Sequence, residues 1–260
     1  MLLELPMLKM SYRVYRVWQR DRDIYLNAWA TELWPPFVEP LLSIVALGLG
    51  LGYYVTDING MSFIQFLAPA FAATGAMYAS AFECTYGSFV RMVYQKTFDA
   101  ILATPCTLED VIGGEMLWGT TRALISAAVV VFVIAVFGLT QSWWALGIPF
   151  VALLQGLLFS SMSMVITSLV PTFGAFNYYI TLGITPMFFF SGVFFPLERL
   201  PESIRWLAWF SPLTHAVTPM RALANGQVHT GLIWDLVWMA VVSLVMVNVA
   251  LSLMRRRLIK

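Results

Sequence analysis

The chain has 260 residues, of which 60% are hydrophobic and only 11% charged, with a formal net charge of +1. Soluble domains run near half apolar and a quarter charged, so this composition excludes an ordinary globular protein and points to an integral membrane protein with little mass outside the bilayer. The small net charge carries no electrostatic footprint for nucleic acid, and a single membrane domain over residues 1–260 is the simplest organisation.

In chain order, residues 1–32 form a charged and aromatic leader. No cleavable signal peptide is expected, because the first long apolar run begins only near Leu33. Arg13, Arg16, Arg20 and Asp23 fall along one helical face, with Val14, Trp18, Tyr25 and Trp29 roughly opposite and Asp21 breaking the apolar stripe. This pattern predicts a cytoplasmic helix lying on the membrane surface and ending at Pro35-Pro36.

A helix needs about 20 mainly apolar residues to cross the hydrocarbon core. Six segments qualify: residues 33–54, 63–89, 117–138, 146–169, 176–195 and 232–253. The first closes with Gly48 and Gly52 in a G-x-x-x-G pair, a pattern for close packing. The second carries Glu83, the one acid deep in a span, on a face shared with Ala72, Ala76, Ser80 and Gly87. Small residues let helices approach, so the carboxylate is expected to point into protein. Two readings of it stay open: a gating or cargo contact, and a structural hydrogen bond between helices. Arg122 lies about one turn inside the third segment and is expected to snorkel back to the cytoplasm. A turn marked by Pro171 and Gly174 separates the fourth and fifth segments. The aromatics of the fifth (Tyr178, Tyr179, Phe188, Phe189 and Phe190) suit either a route for an amphipathic molecule or a lipid-facing or core surface. Glu83, Tyr86, Asn177 and Tyr178 are the candidates for a translocation path or a helix interface. Residues 196–224 are too Pro-broken to span and too apolar for a free loop, which predicts a re-entrant pair of short helices.

Lys9, Arg13, Arg16, Arg20 and Arg22 in the leader, Arg91 and Lys96 after the second segment, and Arg255, Arg256, Arg257 and Lys260 in the tail fall on one side if the chain crosses six times. The other side then holds Arg199, Arg205 and Arg221. The positive-inside rule therefore places both termini in the cytoplasm. The organisation expected is an interfacial segment over residues 1–32, a six-span domain over 33–253 and a basic tail over 254–260.

Catalytic motifs are missing from the sequence. It contains no G-x-x-x-x-G-K-[ST] loop, no G-x-S-x-G and no H-E-x-x-H. Cys84 and Cys106 are poorly placed for a disulfide, one in a span and one outside it, and His215 and His229 are thin material for a metal site.

Residues 94–115 are a charged amphipathic island between two apolar segments. Phe98, Ile101 and Leu102 fall at i, i+3 and i+4, while Lys96, Asp99 and Ala100 lie away from them. Thr104-Pro105 ends this short helix, and Thr107 with Asp110 has the spacing of a new helix start. The run from QKTFDAILATP to LEDVIGGEMLW resembles the signature of type-2 ABC exporter permeases, as do FECTYGSFVRM, ITPMFFFSGVFFPLERLP, SPLTHAV and the terminal RRRL. The resemblance spans essentially the whole chain. It implies an all-α, six-span, non-catalytic subunit of a bacterial inner membrane, paired with a second copy of itself. Two copies of a separate ABC ATPase would carry the ATP and Mg, this chain holding neither. Gln95, Lys96, Thr97, Phe98, Asp99, Ala100, Ile101, Leu102 and Ala103 would be the coupling helix seated in that ATPase. The cargo implied is amphipathic: a glycolipid, lipo-oligosaccharide, polysaccharide or drug-like molecule. A membrane enzyme acting on lipid-linked sugars with Glu83 as acid or base is the alternative, and a passive channel is disfavoured by the sparse polar content of the spans.

Overall fold

The structure, a computed structural model, describes residues 7, 10–32, 34–50, 52–55, 58, 60–199 and 201–259. Lys9, Leu33 and Lys260 lie outside these. Regular structure among the described residues is helical, apart from one isolated bridge between Ile58 and Met61. The α-helices are α1 (Val14–Asn27), α2 (Trp29–Glu32), α3 (Trp34–Gly50), α4 (Phe63–Phe82), α5 (Thr97–Leu102), α6 (Leu108–Val136), α7 (Ile148–Leu169), α8 (Phe176–Tyr179), α9 (Thr185–Phe190), α10 (Glu202–Trp209), α11 (Pro212–Asn225) and α12 (Leu232–Leu258).

Three helices among the described residues are long and apolar enough to cross a membrane: Leu108–Val136, Trp143–Leu169 and Leu232–Leu258. The other apolar segments are helical too, but shorter or interrupted. In α3, Pro35-Pro36 sits in the first turn, where a missing N–H costs nothing. The helix begun by α4 continues past Phe82 through two π-helical turns, Glu83–Gly87 and Val90–Tyr94, to the edge of the island. A π turn widens the backbone ladder. Here Thr167 of α7 gives its hydroxyl to the Cys84 carbonyl at 2.7 Å and so satisfies one carbonyl of the widened stretch.

Several boundaries differ from the sequence expectation, each for a local reason. The third apolar helix starts at Leu108 rather than Leu117, because Thr107 and Asp110 form a reciprocal capping box and Gly113-Gly114 do not break the helix. The second half of the island therefore belongs to α6. The fifth segment stops at Phe190 instead of Phe195: Gly192 adopts φ 76, a left-handed conformation that ends a helix. The basic tail is helical through Leu258, and Arg257 donates to the carbonyls of Thr167 and Val170 at the C-terminus of α7, where a cation complements the exposed carbonyls.

The bundle core runs along α4, α6 and α7, with α11 and α12 packed around it. Small residues set the approach. Ala72, Ala76 and Ser80 are fully buried, and a Cβ placed on Gly156 of α7 would lie 2.7 Å from the Ala123 Cβ of α6. On the first segment, a Cβ on Gly48 would meet the Ile64 side chain at 2.5 Å. A second cluster, including Phe89, Met92, Phe98, Ile112 and Met254, gathers the island against the ends of α6 and α12. At the opposite end, α11 is fixed by Arg221, counted above as a loop cation. It donates to the carbonyls of Phe66 at 3.1 Å and Gly192 at 2.8 Å and lies 3.6 Å over the Phe66 ring. His215 bridges the Trp209 carbonyl at 2.8 Å and the Asp235 carboxylate at 2.7 Å, joining α11 to α12.

The leader helix α1 docks on α6. Its buried stripe is Val17, Asp21 and Tyr25, and it seats where α6 offers no side chain: a Cβ on Gly114 would lie 2.5 Å from the Val17 Cβ. Gly114→Val is therefore expected to lift α1 off α6 at a cost of about 1–3 kcal/mol. Limited trypsin digestion checks this, with cleavage among Arg13, Arg16 and Arg20 appearing in the variant at protease levels that spare the parent.

Candidate functional site: an ion cluster, a cavity and the island

The buried face of α1 carries a carboxylate in its middle, and that carboxylate explains the cluster beneath it. Asp21 is 3% exposed and lies beside Arg20, with Arg91 Nε 3.9 Å away. Arg91, from the second π turn, holds Glu115 of α6 at 2.6 Å through Nη2 and at 3.0 Å through Nε. Ser88 adds a hydroxyl to the same carboxylate at 2.6 Å. Arg91 Nη2 also reaches Glu83 at 2.8 Å. Gly87 makes room for this pair, since a Cβ there would sit 2.8 Å from Glu83 Oε1 and 3.4 Å from Arg91 Nη1. Glu83 is thus held by salt bridges between elements of one chain, which bears out its expected orientation into protein.

Arg122 of α6 has partners on other elements: it pairs with Glu32 at 2.9 Å, stands 3.6 Å from Glu83 Oε2, and lies 4.7 Å from the Tyr25 ring centroid. Asp21, expected only to interrupt a stripe, is likewise part of the cluster. Neither pairing is visible in local periodicity, because the partners lie on different helices.

Glu83, Arg122 and Glu32 line one end of a cavity of about 640 Å³ between α3, α4, α6 and α9. Its remaining wall includes Ser43, Thr74, Tyr78, Phe82, Ser126 and Phe188. Tyr86 and Asn177, the next two candidates, are brought together: the Tyr86 hydroxyl donates to Asn177 Oδ1 at 2.9 Å. Their neighbours are aromatic, Tyr86 packing against Phe173 and Phe176, and neither residue lines the cavity. Tyr178 is 72% exposed, whereas its neighbour Tyr179 contacts Ser163 at 3.2 Å.

In the island, Lys96 adopts φ 55 and sets off α5 from the π turn before it. Phe98 is fully buried in the second core cluster, with Ile101 and Leu102 packed beside it. Gln95, Lys96, Asp99, Ala100 and Ala103 are exposed and Thr97 is half-buried. The leader reaches this region: Arg13 donates to the Pro105 carbonyl, and Ser11 donates to Asp110 through N–H at 2.7 Å and hydroxyl at 3.1 Å. Island, leader and α6 are tied together at one end of the bundle.

The sequence profile described as ABC-2 type transporter matches residues 12–224, a range that includes the leader helix, the ion cluster and the island. The chain belongs to the ABC-2 type transporter family. Nodulation protein J of Rhizobium meliloti (strain 1021) is 37% identical over 247 residues, covering 93% of this chain and 92% of that protein. Nodulation protein J of Rhizobium leguminosarum bv. viciae is 36% identical over 246 residues, covering 94% of each. The inner membrane transport permease YadH of Escherichia coli (strain K12) is 24% identical over 208 residues, 79% of this chain and 80% of that protein. The chain is accordingly a multi-pass, non-catalytic transmembrane subunit of an ABC transporter whose ATPase is a separate protein.

Burial pushes the Asp21 carboxyl up to about 7, with the nearby Glu115 carboxylate adding to the rise and Arg91 and Arg20 opposing it. An acid whose value rises on docking supports the docked state fully below its ordinary 3.8 and loses that support as pH climbs through about 7. Docking of α1 is expected to weaken from pH 5 to pH 8, read as faster amide exchange in residues 14–27, and Asp21→Asn should flatten the pH dependence. Arg91→Ala, which strands Glu115 in a dry interface, is expected to destabilise the protein by about 3–5 kcal/mol in equilibrium unfolding.

Proposed function

We propose that this chain is the permease of an ATP-driven exporter for amphipathic molecules. Six spans, both termini on the cytoplasmic side of a bacterial inner membrane and a re-entrant α10–α11 pair complete the arrangement, with two permease copies paired over two ATPase copies. The basic residues of leader, island and tail favour that orientation, since six crossings gather them on one side. The Escherichia coli relative, an inner membrane transport permease, supports the location. ATP and Mg belong to the partner.

One observation carries the reading: the island is held to the bundle on one face and open on the other. Phe98 anchors α5 inside the second core cluster, while Lys96, Asp99, Ala100 and Ala103 stand exposed. In this proposal the exposed face is what the ATPase grips, and Phe98 transmits the push instead of making the contact. The load then passes through Arg13 and Pro105, Ser11 and Asp110, and the Arg91 cluster into α1 and α6 together. The cavity beside Glu83 forms part of the cargo route, and Tyr86 with Asn177 ties helices beside it. The alternative of a membrane enzyme using Glu83 loses support because Arg91 holds that carboxylate at 2.8 Å as one side of a salt bridge.

The test is reconstitution with the cognate ATPase in liposomes. Asp99→Arg together with Ala103→Glu should leave the chain folded, since both side chains are exposed, and should cut permease-dependent stimulation of ATP hydrolysis about tenfold, a loss near 1.4 kcal/mol of coupling. Unchanged stimulation would remove the coupling role from α5.

A further inference from the structure

The cavity between α3, α4, α6 and α9 has two chemically distinct ends, and their chemistry limits what fits. One end presents the carboxylates of Glu32 and Glu83 and the guanidinium of Arg122. Arg122 pairs with Glu32 at 2.9 Å and lies against the face of Tyr25. Glu83 has a close partner on one oxygen only: Oε1 takes Arg91 Nη2 at 2.8 Å, while Oε2 is in an ion pair with Arg122 Nε at 3.6 Å, beyond hydrogen-bond range, and keeps room for a donor. The Glu32 side chain is 43% exposed. The end therefore has carboxylate oxygens to spare, and its one cation is already paired with those carboxylates. The other wall is aromatic, with Tyr78 stacked on Phe82 at 5.9 Å and edge-on to Phe188 at 6.1 Å. A volume of about 640 Å³ suits one single-chain amphiphile.

We propose that this cavity binds an amphiphile by a head group rich in hydrogen-bond donors, an ammonium or a cluster of hydroxyls, with Glu83 as the principal acceptor and the Tyr78, Phe82 and Phe188 wall against its apolar part. The inference rests on the cavity belonging to the cargo route. It also excludes classes. An anionic head would meet two carboxylates against one guanidinium that is paired with both of them. A quaternary ammonium carries charge but has no N–H to give, so it offers Glu83 Oε2 no hydrogen bond and is expected to bind more weakly than the primary amine.

The experiment uses the full chain in phosphatidylcholine nanodiscs, without ATPase, titrated calorimetrically against empty nanodiscs to subtract partition into lipid. The probes share a twelve-carbon tail: dodecylamine, dodecyl glucoside, dodecyltrimethylammonium and dodecyl sulfate. Saturable binding of dodecylamine, of dodecyl glucoside or of both is the expected result, and which of them binds separates an ammonium from a hydroxyl source. Glu83→Gln should weaken that binding roughly tenfold or more, the loss of one charge-assisted hydrogen bond. Because Arg91 keeps Glu115, the variant retains the core of the cluster. Ala79→Trp leaves every charge in place and fills the cavity from α4, so it should abolish binding. Equal binding of dodecyltrimethylammonium, saturable binding of dodecyl sulfate, or indifference to Ala79→Trp would each overturn the proposal. Since no ATPase is present, such a failure leaves the exporter reading standing. Loss of ATPase stimulation in the parent with binding intact would sink that reading alone.

Discussion

Burying the Arg91–Glu115 pair is the constraint on which the island end of this fold depends. Taking an ion out of water costs several kcal/mol, and mutual attraction offsets that only when geometry is close and the remaining hydrogen-bonding sites are filled. Glu115 is fully buried, and its carboxylate takes both Arg91 nitrogens and the Ser88 hydroxyl. To supply those partners, the helix begun by α4 must bring Ser88 and Arg91 to α6 together. The π turns and the missing side chain of Gly87 make this possible. The leader must then cover the pair, and Gly113-Gly114 let it come close enough.

The same constraint explains why the leader is not a surface helix of ordinary amphipathic kind. Its buried stripe contains Asp21, which an apolar interface would reject and a guanidinium-rich one accepts. Leader, π turns and α6 are thereby one electrostatic unit, and α5 hangs from it between the left-handed Lys96 and the Pro105 carbonyl gripped by Arg13. In the proposed reading a force on α5 cannot move α6 without moving α1.

The sequence made legible whatever is written locally. The capping box of Thr107 and Asp110 lies within four residues, and the apolar runs that become α6, α7 and α12 declare themselves by length. The split of α5 into Phe98, Ile101 and Leu102 against Lys96, Asp99 and Ala100 follows from helical spacing alone. What stayed hidden depends on partners distant in the chain. The pairing of Arg122 with Glu32 and Glu83 joins residues far apart in the chain, and Asp21 looks like a flaw until Arg91 is placed beside it. The π turns carry no composition signal, and the early end of the fifth helix turns on one backbone angle at Gly192. Tyr86 and Asn177 were legible as polar residues near a path, but their hydrogen bond to each other was not.

Two partly buried arginines show how differently the ends of the molecule are built. Arg221 gives its hydrogen bonds to backbone carbonyls of Phe66, Gly192 and Val193 and rests on one ring. Backbone acceptors are fixed in space and carry no proton to exchange, so this contact has one arrangement and locks α11 to α4. Around Arg91, carboxylates of Asp21, Glu83 and Glu115 lie between 2.6 and 3.9 Å, and each of the three also has Arg20 or Arg122 within 3.8 Å. Side-chain ions with several partners within 4 Å can trade one for another without any being left bare in a dry interface. Movement at the island end would keep its ions paired by exchange within the cluster, whereas movement at the Arg221 end would strand a partly buried cation.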